Sequence, residues 1–569
     1  MMLGNEAVAR GLYEAGCSFV SSYPGTPSTE ITECAAEYEE VYAEWAPNEK
    51  TALEAAIGAS IMGARAFAAM KHVGLNVAAD PLYSISYGGV NGGLVVAVAD
   101  DPGMHSSQNE QDSRRHAIAS KVPMLEPSDS AECKEFAKAA FELSEKYNTP
   151  VLLRLSTRVS HSQNAVELCE RDEYVQKPYV KDAARFVLTP ANSQKRHPIV
   201  EKRMAEFDAP ELDRKIRGGA EIGIVTAGTG FLYAREALGD KASYLKLGVV
   251  NPLPVERIRE FAKTVKKLYV IEELDPVIET QLRAAGIPVT GGKELFSLTG
   301  EYTAAQIREK LLGERAEACE EIAAPPRPPV LCPGCPHRAT FYVLKKLKLE
   351  VSGDIGCYTL GAAPPLGSVD TTIDMGASVG ALHGMLKARP ENAKNTVAVI
   401  GDSTFIHSGI TALINIVYNQ SSATVLILDN SITGMTGHQQ NPATGLTLKN
   451  TPAPALNIPE LCRAVGVKRV SVIDPFDMKG LEALVKTELE ADEPSVIVVK
   501  HPCALLKYVK RRPPLKIDAK KCAKCGLCMK PGCPALSMGE KSAVIDQTLC
   551  AGCGLCASLC AKGAIGGNE

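Results

Sequence analysis

The chain has 569 residues, a formal net charge of −4 and 22% charged residues. Such balance implies no nucleic-acid or polyanion surface, and no apolar run reaches the roughly 18 residues needed to span a membrane. Eighteen cysteines behind an N-terminus without a signal-peptide pattern point to the reducing cytoplasm of an anaerobe rather than to a disulfide scaffold.

Length predicts about four domains. Repeated short apolar runs ending in Gly or Asp predict an α/β protein. A polar segment around 192–217, a Pro-rich stretch at 323–330 and Arg511-Arg512-Pro513-Pro514 read as breaks. They divide the chain into blocks 1–190, 191–322, 323–510 and 511–569.

In the first block, prolines on both sides of Thr26 in Tyr23-Pro24-Gly25-Thr26-Pro27-Ser28 rigidify a turn that presents a hydroxyl. The bland alternative is a strand-to-helix turn capped by Ser28 or Thr29. A small-residue helix is predicted over 52–66, with Asn48 and Glu49 just before it. The stretch 106–116 is too polar for a strand. An Arg within it, Arg114 or Arg115, is a candidate for binding a substrate carboxylate or an acyl acceptor's phosphates, the alternative being a solvated side chain. The second block carries apolar runs at 222–228, 248–254 and 268–273 that read as strands of another α/β domain. Its Gly228-Thr229-Gly230 is too short for a dinucleotide fingerprint and reads as structural.

The third block contains a strand, Thr396–Ile400, ending in Gly401-Asp402-Ser403. A helical pattern follows, with Ile406, Ile410, Leu413, Ile414 and Val417 on one face, and then a second strand runs into Asp429-Asn430. In such a βαβ unit the carboxyl ends of the strands form the ligand crevice. A helix N-terminus at Ser403–Thr404 suits a phosphate. One carboxylate plus one amide oxygen suits Mg²⁺.

The fourth block holds two runs, Cys522-x2-Cys525-x2-Cys528-x4-Cys533 and Cys550-x2-Cys553-x2-Cys556-x3-Cys560. Eight thiolates at this spacing suit two [4Fe–4S] clusters, with the fourth cysteine of each run crossing over. One cube then falls to Cys522, Cys525, Cys528 and Cys560, the other to Cys533, Cys550, Cys553 and Cys556. The x4 gap departs from the usual x3 by one residue. Cysteines 17, 34, 133, 169, 319 and 462 have no pattern and read as core thiols.

Taken together, these motifs resemble the 2-oxoacid:ferredoxin oxidoreductases. The Tyr23–Ser28 loop looks like that family's YPxTPS loop. Gly401-Asp402-Ser403 followed at the right distance by Asp429-Asn430 resembles the thiamine diphosphate fingerprint, with Ser403 and Asp429 as departures. Cys332-Pro333-Gly334-Cys335-Pro336-His337-Arg338, Gly353-Asp354-Ile355-Gly356-Cys357-Tyr358 and the fused cysteine tail are similar to the alpha subunit of the indolepyruvate enzymes.

The resemblance implies two thiamine diphosphate-fold domains (1–190 for the pyrimidine, 323–510 for the diphosphate and Mg²⁺), a transketolase C-terminal-like domain (191–322) and a ferredoxin-like domain (511–569). It implies that Asp402, Asn430 and the Ile432 carbonyl hold Mg²⁺. Gly401, Ser403, Gly376 and Ser378 would contact the cofactor. Glu49 would activate it, with Glu54 as competitor, and Thr26 would hold the substrate. Cys332, Cys335, Cys357 and Cys503 would hold a third cluster near the thiamine, the alternative being buried thiols.

The implied reaction is ferredoxin-dependent oxidative decarboxylation of arylpyruvates, such as indolepyruvate and phenylpyruvate, with coenzyme A. The implied partners are a small beta subunit, in an α2β2 assembly, and ferredoxin. Another 2-oxoacid, a non-oxidative thiamine diphosphate decarboxylase and an electron-transfer subunit with a vestigial thiamine fold are the rival readings.

Overall fold

The computed structural model describes residues 1–315, 324–325 and 327–566. Cys319 and parts of the expected linker at 323–330 lie outside the described residues. The chain forms two compact units, Met1–Glu321 and Ile322–Glu569.

The first unit is built on a seven-stranded sheet. Strands Tyr42–Trp45, Phe19–Ser22, Ala66–Lys71, Leu94–Asp100 and Val151–Ser156 run parallel in that spatial order. Met124–Leu125 continues the parallel set. The strand Val249–Asn251 then joins antiparallel, although it belongs to the second sequence block. A four-stranded sheet follows, with Lys267–Ile271, Ile222–Thr226 and Ala242–Lys246 parallel and Arg214–Ile216 antiparallel at the edge.

The first two blocks are therefore more intimately joined than a break near 190 suggests. The helix Pro190–Glu206 packs back on the first block. Its Val200 is fully buried, and Arg203 donates to the carbonyls of Ser86 and Asn148. One apolar core runs from Leu53, Met70 and Val98 to Leu245, Ile258 and Val270. The polar composition of 192–217 thus marks a solvated helix face, not a linker.

In the second unit, five parallel strands lie in the order Glu350–Ser352, Thr396–Gly401, Thr424–Asp429, Ser495–Lys500 and Arg469–Ile473. Val397, Val399, Leu426 and Ile497 face one apolar cluster, and Ala398, Ile400, Val425 and Val498 face another. Burial on both faces explains why these strands read as unbroken apolar runs. The helix 402–418 carries a π-type turn over Phe405–Gly409. That turn shifts the expected face: Leu413 and Ile416 are buried, whereas Ile414 is exposed. The tail has two antiparallel ribbons, Lys516–Ile517 with Ile565–Gly566 and Leu536–Met538 with Ala543–Ile545. Each cysteine run turns into a short helix, Leu527–Met529 or Leu555–Ser558.

Candidate active site

In the second unit, three neighbouring strands deliver acidic residues to one edge of the sheet. Asp354 follows Glu350–Ser352, Asp402 follows Thr396–Gly401, and Asp429-Asn430 closes Thr424–Asp429. Asp402 is 3% exposed. Its Oδ2 is buried without a hydrogen-bond partner, an arrangement that a buried carboxylate sustains only with a cation or a proton. Burial, with Asp429 nearby, pushes the Asp402 carboxyl up to about 7; the Ser403 amide and the Asn441 side chain act the other way. The donor set of Asp402, Asn430 and the Ile432 carbonyl is hard oxygen, which fits Mg²⁺.

The two departures from the usual fingerprint have local reasons. The Ser403 hydroxyl accepts a hydrogen bond from Thr433 at 2.9 Å, so its side chain points to protein. Asp429 pairs with Lys500 at 2.9 Å and accepts from the Ser431 amide at 3.0 Å. Gly401 has no freedom to change: a Cβ there would lie 2.5 Å from the Tyr358 ring. Tyr358 in turn donates to the Ile355 carbonyl and the Thr404 hydroxyl at 2.8 and 3.0 Å.

Gly376 and Ser378 differ from expectation. Their amides donate to the two oxygens of Asp354, at 2.8 and 2.9 Å. Asp354 thus caps the helix Ala377–Ala388, and these amides are not open to a phosphate. Sequence reasoning missed Asp354, although it stands in the same Gly-Asp-Ile-Gly-Cys segment that marked Cys357.

The first sulfur group adjoins this edge. Burial pushes the thiols of Cys335 and Cys357 up to about 12 and about 11. Cys357 and Cys332 add to the effect on Cys335, and Cys503 and Cys332 to that on Cys357. Burial, Cys332 and Asp402 all raise Cys503. The Cys503 amide donates to the Asn430 carbonyl at 2.9 Å. A Cβ on Gly434 would stand 3.4 Å from the Cys357 sulfur and 3.6 Å from the Asn430 amide nitrogen.

In the tail, one cavity is lined by Cys522, Cys525, Cys528 and Cys560. A second is lined by Cys533, Cys550, Cys553 and Cys556, and also by Cys335 and Cys528. This is the crossed grouping expected from spacing. No described His, Cys, Asp or Glu cluster is drawn in tightly enough for a single metal ion; sulfurs around a cube stand further apart than sulfurs on one ion.

In the first unit, Thr26 and Glu49 follow, and Lys71 ends, neighbouring parallel strands. Glu49 opens the helix Glu49–Ile61, which Asn48 caps through the Thr51 amide at 2.8 Å. Glu49 is 4% exposed, and a Cβ on Gly74 would meet its Oε1 at 2.7 Å. Glu54, in contrast, has a side chain 49% exposed and paired with Lys50. The Ser106 hydroxyl donates to the Thr26 carbonyl at 3.2 Å.

Arg114 requires correction. It is 1% exposed, forked onto Asp112 and paired with Glu272 at 2.6 Å. Its remaining bonds go to the carbonyls of Glu273 and Asp275. It joins the two sheets of the first unit, and its charge is already met by two carboxylates. Burial would raise Asp112, but Arg114 and Arg154 hold it well below the usual carboxylate range. The cation that does stand near Thr26 and Glu49 is Lys71, which the sequence reading missed. Its Nζ donates to the Ser106 carbonyl at 2.9 Å. Burial lowers its pKa against the opposing pull of Asp101 and Glu49. Its only sequence signal is its position at a strand's carboxyl end.

Of the unpatterned cysteines, Cys17, Cys133 and Cys462 are core thiols, Cys34 is half-buried and Cys169 is exposed.

Two family matches cover the corresponding segments. "Pyruvate flavodoxin/ferredoxin oxidoreductase, thiamine diP-bdg" matches residues 10–209, and "Thiamine pyrophosphate enzyme, C-terminal TPP binding domain" matches 354–499. With two parallel α/β sheets and an acidic strand-end crevice, these define a thiamine diphosphate enzyme of the 2-oxoacid oxidoreductase class. The chain is 42% identical to the indolepyruvate oxidoreductase subunit IorA of Archaeoglobus fulgidus, over 99% of this chain and 97% of that one. It is 39% identical to the Pyrococcus horikoshii protein of the same name, over 99% and 96%. The 2-oxoglutarate synthase subunit KorA of Methanothermobacter thermautotrophicus is 26% identical over 47% of this chain and 86% of that one. The chain belongs to the indolepyruvate oxidoreductase IorA family. No described helix is long and apolar enough to cross a membrane.

Proposed function

We propose that this chain is the catalytic subunit of an enzyme that oxidatively decarboxylates arylpyruvates, indolepyruvate among them, forming the aryl-acetyl-coenzyme A and passing electrons to ferredoxin. The observation that carries this reading is the junction at Asn430. The residues suited to Mg²⁺ and the first group of cysteines meet there through one hydrogen bond, Cys503 amide to Asn430 carbonyl at 2.9 Å. A decarboxylase that kept its electrons would have no use for sulfur ligands beside its cofactor.

Asp402, Asn430 and the Ile432 carbonyl hold Mg²⁺, and Gly401 and Ser403 bring the helix N-terminus to the diphosphate. Thiamine diphosphate bound there supplies the electron sink for the carbanion left by decarboxylation. Glu49 supplies the carboxylate that activates the cofactor, held by burial and by the space that Gly74 leaves. Thr26 and Lys71 receive the substrate's keto-acid end. Cys332, Cys335, Cys357 and Cys503 hold a proximal [4Fe–4S] cluster. The tail holds two more, on Cys522, Cys525, Cys528 and Cys560, and on Cys533, Cys550, Cys553 and Cys556. The name "subunit" borne by the relatives supports a partner chain, which we take to be a small beta subunit in an α2β2 assembly.

The purified complex should reduce ferredoxin with indolepyruvate and phenylpyruvate in a strictly coenzyme A-dependent way, and far more slowly with pyruvate or 2-oxoglutarate. Release of free aldehyde without ferredoxin reduction would refute the oxidative reading. Faster turnover of an aliphatic 2-oxoacid would refute the substrate assignment.

A further inference from the structure

The motif around Cys332 ends in His337-Arg338, and neither residue has a place in the chemistry above. His337 is buried at 6.0 Å from the Tyr358 ring, edge to face, and burial takes its pKa down to about 4; it is a neutral core group. Arg338 is different. It is 3% exposed, yet among the described residues it forms no ion pair. Its Nε donates to the Cys332 carbonyl at 3.0 Å. Its Nη1 donates to the carbonyls of Pro531 and Gly532, at 2.9 and 2.6 Å. Its Nη2 is buried and has no acceptor among the described residues. The side chain lines the cavity ringed by Cys533, Cys550, Cys553 and Cys556. A guanidinium stays charged even here.

Pro531 and Gly532 lie inside the four-residue gap between Cys528 and Cys533, the gap that exceeds the usual spacing by one. The extra residue has a structural use. The segment closes a turn, Gly532 amide to Met529 carbonyl at 2.8 Å, and Gly532 adopts φ +70°. That turn aims two successive carbonyls at one guanidinium. A Cβ on Gly532 would stand 2.7 Å from Pro365 Cδ and 3.4 Å from Arg338 Nη1, so the turn is seated between these two side chains. Beside it, a Cβ on Gly334 would meet Ala551 Cβ at 2.8 Å. The first sulfur group and the second tail cavity are therefore in van der Waals contact through small residues.

We propose that Arg338 and the Met529–Gly532 turn form a hook that fixes the tail to the diphosphate domain and places a permanent positive charge between two electron-carrying sites. The hook ties the main chain at Cys332 to the main chain just before Cys533. The unpartnered Nη2 is available to sulfur in the neighbouring cavity. A buried positive charge at this point favours the electron-rich form of both sites, because little water is present to screen it. The inference rests on the cluster assignment above.

The test uses the full chain with its clusters, in wild-type form and as Arg338→Met, Arg338→Lys and Gly532→Ala. Arg338→Met should shift the midpoint potentials of the proximal and the second tail cluster to more negative values, followed by electron paramagnetic resonance. Iron and acid-labile sulfide should stay at wild-type levels. Arg338→Lys should restore most of the potential but not the docking. Gly532→Ala should loosen docking while leaving the charge in place, seen as at least tenfold faster hydrogen exchange across residues 529–533. Unchanged potentials in Arg338→Met with full iron content would overturn the electrostatic role. Unchanged exchange in both Arg338→Met and Gly532→Ala would overturn the hook. A wild-type chain without iron would overturn the cluster assignment and with it the electrostatic role, whereas the exchange measurement on that same chain still decides the hook.

Discussion

Glu49 and Glu54 stand five positions apart in one helical segment, and burial separates them: one is enclosed against Gly74, the other is solvated beside Lys50. Glu49→Gln should lower turnover by about 10²–10⁴-fold, the usual worth of a positioned acid–base group, with thiamine diphosphate still bound. Glu54→Gln should leave turnover within twofold. Equal loss in both, measured by ferredoxin reduction, would refute the assignment. Lys71→Ala should raise the KM for the 2-oxoacid by about tenfold or more, matching the ~1.5–3 kcal/mol of a hydrogen bond to a charged group. The KM for coenzyme A should hardly move; a parallel rise in both would count against Lys71 as the carboxylate's partner. The same scale explains the error over Arg114. Its polar setting in sequence looked like a ligand loop, but beside its near neighbour Asp112 it finds a second carboxylate, Glu272, and the carbonyls of Glu273 and Asp275 about 160 residues away.

At the level of elements, the crevice depends on strand ends that are held in register. Gly401 lies opposite Leu428 across the parallel pair, so Asp402 and Asp429 emerge side by side. Tyr358 packs against Gly401 from the neighbouring segment. Gly401→Ala should push Tyr358 away from Thr404 and cost about 1–3 kcal/mol of local packing, read as weaker thiamine diphosphate binding by calorimetry. If affinity is unchanged, the contact with Tyr358 does not set the crevice. The strands and the βαβ unit were legible because apolar runs report burial on both faces. The capping of Ala377–Ala388 by Asp354 was not, because a carboxylate 22 residues from its Gly376 partner leaves no periodic trace.

For the whole molecule, the first unit is joined by buried charge as well as by apolar surface. Arg114 and Arg154 face Asp100, Asp112, Glu126 and Glu272 in the buried interior. Removing one partner leaves uncompensated charge in the interior, so Arg114→Met should destabilise the first unit by about 3–5 kcal/mol. Thermal unfolding is the measurement. A loss below about 1 kcal/mol, the scale of an exposed pair, would show that water reaches the network. In the second unit, on the proposed ligand assignment, Cys503→Ala should remove the iron of one cluster and leave that of the two tail clusters, by iron analysis and spin counting. Loss of all iron would mean that the three sulfur groups do not form independently.

Sequence alone determined several local groupings of this protein. The crossed cysteine grouping, Asp402 with Asn430 at two strand ends and the buried parallel strands all follow from spacing and periodicity, which are properties of neighbouring residues. What only the tertiary structure decided are the pairings between distant segments. Arg114 is enclosed by carboxylates rather than open to substrate, Lys71 replaces it at the strand ends, the helix at 190–206 returns to the first block, and the extra residue before Cys533 is directed at Arg338. Each is a question of which buried charge or carbonyl finds which partner. That is settled by desolvation in the folded interior, where an unpaired polar group is costly and where the partners stand scores or hundreds of residues apart in the chain.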